Sequence, residues 1–243
     1  MLKNAPNPLL HIADVSGSAL FQGDCLDIMP LIPDNSIDCI ITDPPYGTTA
    51  CKWDSVIDFN LMWEQLNRII KPNGAIVLFG SEPFSSYLRL SNIKWYKYDW
   101  IWEKGQGTNY ILAKKRPLNN YETISLFSKN QSIYNPQMYL KSDYTRQRGL
   151  RMLRLSEKAK EIKSEHNISK TISMGSHLNI YGYPLAVLFY KKERNNQFVK
   201  KTFHPSQKPV ALFEYLIKTY TNENELVLDN DGEKPLTPRY LPL

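Results

Sequence analysis

The sequence predicts an α/β fold built on a largely parallel sheet. Two continuous apolar runs, "IDCIIT" and "AIVLFG", have the length of strands buried on both faces and lack the alternation of a half-exposed strand. Two stretches with helical apolar spacing, "FNLMWEQLNRII" and "KPVALFEYLIKTYT", are interleaved with such runs. Turn-forming residues close each run, as in "TDPPYG" and "KPNG".

Taken in order, residues 19–24 (ALFQGD) form a short strand candidate ending in Gly-Asp, and "CLDIMPLIP" continues with helical spacing until "DNS" breaks it. Residues 37–43 (IDCIITD) are the first buried strand. Residues 59–74 hold a helix that stops at Lys71 and Pro-Asn-Gly, and residues 75–80 form the next strand. "PFSSYLRLSN" is helical, and residues 98–104 and 121–129 are two more strands. Residues 131–203 are polar, basic and rich in tyrosine, and read as an insertion. Strand-helix order resumes with "KPVALFEYLIKTYT" and residues 225–230 (ELVLDN).

A chain of 243 residues suits one large domain with an insertion. No apolar run reaches the ~18 residues of a membrane helix, and the first residues lack the order of a secretion signal, so the expectation is a cytoplasmic protein without a membrane partner. Cys25, Cys39 and Cys51 show no metal-binding spacing, and His11, His166, His177 and His204 form no HExxH pair. No metal is expected. The formal charge of +6 is a modest bias toward polyanions, and the insertion concentrates it in Arg146, Arg148, Arg151 and Arg154 beside Tyr144.

The stretch "IITDPPYG" carries the chemistry. Ligands of open parallel sheets bind at the carboxyl ends of strands, where Asp43, Pro44, Pro45 and Tyr46 fall. Successive prolines stiffen the turn and keep their carbonyls as acceptors. Asp43 adds a carboxylate and Tyr46 a ring that can stack on a base. Two acceptors and a platform suit an aromatic amine, whose nitrogen could attack a sulfonium methyl directly. The plainer reading is a strand-terminating turn.

With "GDCLDIMPLIPDNSIDCIIT" before it and "RIIKPNGAIVLFGSEPF", "WIWEKGQGTNYILAKKRPLNNYETISLFSK" and "HPSQKPVALFEYLIKTYTNENELVLDN" after it, this motif resembles the S-adenosylmethionine-dependent DNA amino-methyltransferases, and its motif order resembles their β-class. The resemblance implies a Rossmann-like methyltransferase fold, with a catalytic domain over residues 19–130 and 204–230 and a target-recognition insertion over 131–203. It implies that Asp43 and the Pro44 carbonyl accept from the target amino group, while Tyr46 stacks on a flipped base. S-adenosylmethionine would be held by Asp24, Asp43, Asp229 and the His204, Pro205, Ser206, Gln207, Lys208, Pro209 turn. Double-stranded DNA would be met by Tyr144, Arg146, Arg148, Arg151 and Arg154, and a homodimer is compatible with the sequence. Asp at the first motif position is more usual for adenine-N6 than for cytosine-N4 methylation, which implies site-specific DNA methylation of the kind found in restriction-modification systems.

One departure stands out. After "ELVLDN" the family continues with a glycine-rich turn, a helix and a strand. Residues 231–243 read "DGEKPLTPRYLPL", too short for a strand-helix-strand unit of roughly 30 residues and too rich in proline for a helix. The expectation is an incomplete cofactor-binding half and a tail outside the family. It leaves open an inactive or complementation-dependent DNA-binding remnant, and a cytosine-N4 methyltransferase, beside the adenine enzyme.

Overall fold

A computed structural model describes residues 11–15, 18–48, 55–141, 181–192 and 207–230. Two compact units are present, one formed by Met1–Asn135 with Ala186–Leu243, the other by Pro136–Leu185. In the second unit, β7 (Tyr139–Leu140) and β8 (Tyr181–Gly182) pair antiparallel.

The first unit is built on a six-stranded sheet of order β10-β3-β4-β6-β5-β9. Its strands are β3 (Ile37–Thr42), β4 (Ile70–Gly80), β5 (Tyr96–Thr108), β6 (Asn119–Phe127), β9 (Val187–Phe189) and β10 (Val227–Leu228). β10 with β3, β3 with β4, and β5 with β9 pair parallel, while β6 runs antiparallel to both β4 and β5. Five strands therefore share one direction and β6 alone opposes them, so the largely parallel sheet is observed.

β3 shows why the apolar runs lie inside the sheet, flanked by other strands and covered on both faces. Successive side chains of a strand point to opposite faces. Ile40 packs with Met62, Trp63 and Leu66 of α2 (Phe59–Ile69) and with Leu88 of α3 (Phe84–Ser91). Its neighbour Ile41 packs on the other face with Leu212, Phe213 and Leu216 of α4 (Val210–Tyr220). Helices thus cover both faces, the arrangement of doubly covered α/β sheets. Asp58 caps α2 by accepting from the Asn60 and Leu61 amides.

Several elements differ in extent from the sequence reading. β4 begins at Ile70, which pairs with Ile37 before the register shifts to Cys39 opposite Ala75. The Lys71–Gly74 segment that reads as a stop is the irregularity that absorbs this shift. Gly74 is needed there, because a Cβ would lie 2.8 Å from the Asp38 carbonyl oxygen. The strand read over residues 19–24 ends at Phe21. It is β2 (Ser18–Phe21), paired with β1 (His11–Val15) in a separate two-stranded sheet. The helix read from "CLDIMPLIP" is only α1 (Cys25–Ile28) followed by a 3-10 turn at Met29–Leu31, where Pro30 denies the chain an amide. β10 is two residues long, shorter than the segment read as its strand.

Candidate active site

The DPPY turn leaves the carboxyl end of β3. Gly47 follows at φ 66°, a left-handed conformation that favours glycine and turns the chain away. Pro44 is buried, and Asp43 and Tyr46 are half-buried. The Tyr46 hydroxyl donates to Asp43 Oδ1 at 2.5 Å, and its ring rests on Phe84 with centroids 5.2 Å apart. The two polar side chains of the turn are therefore fixed against each other.

Lys208 arrives from the segment before α4. Its Nζ lies 3.0 Å from Asp43 Oδ2, 2.7 Å from Glu122 Oε2 and 3.4 Å from the Tyr46 hydroxyl. Glu122 in turn receives Lys104 on Oε1 at 3.3 Å. Three rings surround the Lys208 ammonium, with centroids at 5.3 Å for Phe79 and 5.6 Å for Tyr46 and Trp102. The side chains of Lys208, Asp43 and Glu122 are 9%, 12% and 14% exposed, so solvent screens these charges little. Burial alone would lower the Lys208 ammonium, but Asp43 and Glu122 outweigh it and hold the group well above its ordinary value. Burial would likewise raise Glu122, but Lys208 and Lys104 hold its carboxyl below the usual range.

Topology explains the convergence. Phe79 is near the carboxyl end of β4, and Trp102 on β5 pairs in register with Glu122 on β6. Because β6 runs against its neighbours, its first residues lie where the parallel strands end. The site thus occupies the rim where ligands of such sheets bind. Thr42 Oγ1 and Asn230 Oδ1 are buried on this rim without a hydrogen-bond partner among the described residues.

Asp24 is exposed and caps α1, accepting from the Leu26 amide at 2.8 Å. Asp229 follows the last residue of β10, Pro209 is buried at the start of α4, and Gln207 precedes Lys208. His204, Pro205, Ser206, Tyr144, Arg146, Arg148, Arg151, Arg154 and the tail from residue 231 lie outside the described residues. Sequence reasoning missed Glu122 and Lys104. The only signal for them was two charges inside otherwise apolar strands, "WIWEK" and "YETISLF". Among the described residues no cluster of His, Cys, Asp or Glu could hold a metal ion, and no helix is long and apolar enough to cross a membrane.

The family model described as DNA methylase, of the N6/N4 type, matches residues 37–230, well over half of the chain. The chain belongs to the N6/N4 DNA methylase family. Among curated relatives of this chain, the Type II methyltransferase M.HpaI of Haemophilus parainfluenzae is 27% identical over 224 residues, covering 86% of this chain and 62% of the relative, so the chain spans less than two thirds of that relative's length. The DNA adenine methyltransferase YhdJ of Escherichia coli is 26% identical, covering 86% of this chain and 69% of the relative. Coverage falls to 49% of the length of the Type II methyltransferase M.BamHI of Bacillus amyloliquefaciens. Among solved structures, the cytosine-N4-specific PvuII DNA methyltransferase aligns with a TM-score of 0.53 at 18% identity, covering 87% of this chain and 73% of that one. At that identity the likeness speaks for the methyltransferase fold, the Rossmann-like α/β architecture expected from the sequence.

Proposed function

We propose that this chain methylates the N6 amino group of adenine in double-stranded DNA, with S-adenosylmethionine as methyl donor and the target base flipped out of the duplex. The observation that carries this reading is the DPPY turn at the carboxyl end of β3, with the Tyr46 hydroxyl bonded to the Asp43 carboxylate. Asp43 uses one oxygen for Tyr46 and the other for Lys208. A carboxylate offers about four lone-pair sites, so acceptor capacity remains for an amino group. Accepting both N–H bonds, with the Pro44 carbonyl as second acceptor, favours a localised lone pair on the nitrogen. Tyr46, backed by Phe84, supplies the stacking face. The donor would supply the methyl group, its S–CH3 electron pair staying on sulfur, and the surplus amine proton would leave toward the Asp43 carboxylate.

The residues on the rim suit the donor. Its adenosine and methionine ends bear hydroxyl, amino and carboxyl groups, and the orphaned Thr42 Oγ1 and Asn230 Oδ1 at adjacent strand ends ask for such partners. Asp229 beside Asn230, with the residues flanking Lys208 in the 204–209 segment, would hold it. When bound, it supplies an electrophilic sulfonium methyl. Residues 19–130 with 204–230 form the catalytic domain in this reading, and residues 131–203 the DNA-recognition region, whose basic residues make affinity fall with salt. Adenine is favoured over cytosine by Asp43 at the first motif position.

Incubation with radiolabelled S-adenosylmethionine and unmethylated genomic DNA, followed by nucleoside analysis, tests the reading. Label in N6-methyladenine, lost in Asp43→Ala, is expected. Label in N4-methylcytosine, no label at all, or transfer that survives Asp43→Ala defeats it.

A further inference from the structure

We propose that Glu122 is a positioning residue of this site, holding Lys208 so that Asp43 is presented to the target amine in one orientation. The inference rests on the methylation reading above. Lys208 has three N–H donors, and Asp43, Tyr46 and Glu122 accept one each. Two of these acceptors belong to the proposed catalytic turn. Glu122 alone comes from elsewhere, and at 2.7 Å it makes the shortest of the three contacts.

The charge order along the cluster is Asp43, Lys208, Glu122, Lys104, alternating in sign. An ammonium this deeply buried must be compensated. With Glu122 in place, Lys208 is balanced without drawing on the whole of Asp43. Without it, the acceptors left to Lys208 among the described residues are Asp43 and the Tyr46 hydroxyl, and it settles onto the oxygens the amine needs. Lys104 holds the far oxygen of Glu122 and sits on the neighbouring strand, so the anchor is itself tied to the sheet. This arrangement places the ionic grip on the rigid β5–β6 pair rather than on the DPPY turn.

The test uses the full chain and the isosteric Glu122→Gln, with Glu122→Asp as the variant that keeps the charge. Single-turnover methyl transfer should slow on the order of 10- to 100-fold in Glu122→Gln, the penalty of a misplaced reacting group. Binding of DNA and of S-adenosylhomocysteine should stay as in the wild type, and Glu122→Asp should recover part of the rate. Independently of activity, the Lys208 side-chain resonance, assigned by its loss in Lys208→Met, should shift in Glu122→Gln. Wild-type rate in Glu122→Gln, or a rate loss matched by equal loss of binding, overturns the proposal. If the wild type itself transfers no methyl group, the methylation reading falls. The Lys208 resonance then decides alone, and an unmoved signal in Glu122→Gln overturns the positioning role.

Discussion

The Tyr46 hydroxyl donates to Asp43 Oδ1, which joins the proposed stacking ring and the proposed amine acceptor into one unit. Tyr46→Phe keeps the ring and removes this bond. A hydrogen bond to a charged group contributes about 1.5–3 kcal/mol, so single-turnover transfer should slow roughly tenfold to a hundredfold. Tyr46→Ala should lose a further ~1–3 kcal/mol of base stacking, seen as a higher KM for DNA. A Tyr46→Ala variant no slower than Tyr46→Phe would show that the ring does not meet the base.

The two faces of β3 make a stability prediction. Ile40 and Ile41 are almost fully buried, in separate clusters on opposite sides of the sheet. Each change to alanine should cost about 2–5 kcal/mol in denaturant unfolding. Hydrogen exchange should separate them, with Ile40→Ala speeding α2 and Ile41→Ala speeding α4. A strand with one solvated face would make one of the two substitutions nearly neutral.

Asp38 ties the short β10 to β3. Its Oδ2 accepts from the Leu226 amide at 2.9 Å and its Oδ1 from Lys71 at 2.6 Å. Asp38→Ala should cost about 0.5–1.5 kcal/mol, the net worth of a hydrogen bond whose amide water can reach. The amides of Val227 and Leu228 should exchange faster while those of β5 and β6 keep wild-type protection, measured by hydrogen exchange with mass spectrometry.

Acid should reveal the Lys208 cluster. Lys208 and Lys104, outweighing burial, keep the folded Glu122 carboxyl below its ordinary value. The unfolded chain therefore takes up this proton first as pH falls. The stabilisation is complete above about pH 4.3, the ordinary glutamate value, and is lost as pH falls through the lowered folded value. Urea midpoints across this range should drop more steeply for the wild type than for Glu122→Gln, and identical slopes would refute the assignment.

Much of this was legible in the sequence because it is local. The buried strands at Ile37–Thr42 and within Ile70–Gly80 announce themselves by unbroken apolar runs, and α2 by its cap and spacing. The DPPY turn was legible for the same reason. What stayed hidden depends on distant partners. Nothing near Glu122 in sequence indicates that it meets Lys208, because that contact exists only once β6 lies antiparallel beside β4 and α4 closes the other face. Asp24 shows the converse. An acid before a short helix serves equally as a cap or as a ligand, and the structure shows it capping. Pairing direction was hidden too, since "YETISLF" reads the same whether its strand runs with or against the sheet.

The strand order also has a consequence for how the chain is made. β3 emerges early from the ribosome, yet one of its neighbours, β10, emerges nearly 200 residues later, while β4 takes the other edge at once. Until Val227 has been made, one side of this buried apolar strand is an open hydrogen-bonding edge. Such edges recruit foreign strands. Chains stalled before Val227 should therefore be prone to association, and chaperones that shield nascent chains should raise the yield of full-length protein more than its thermal stability would suggest.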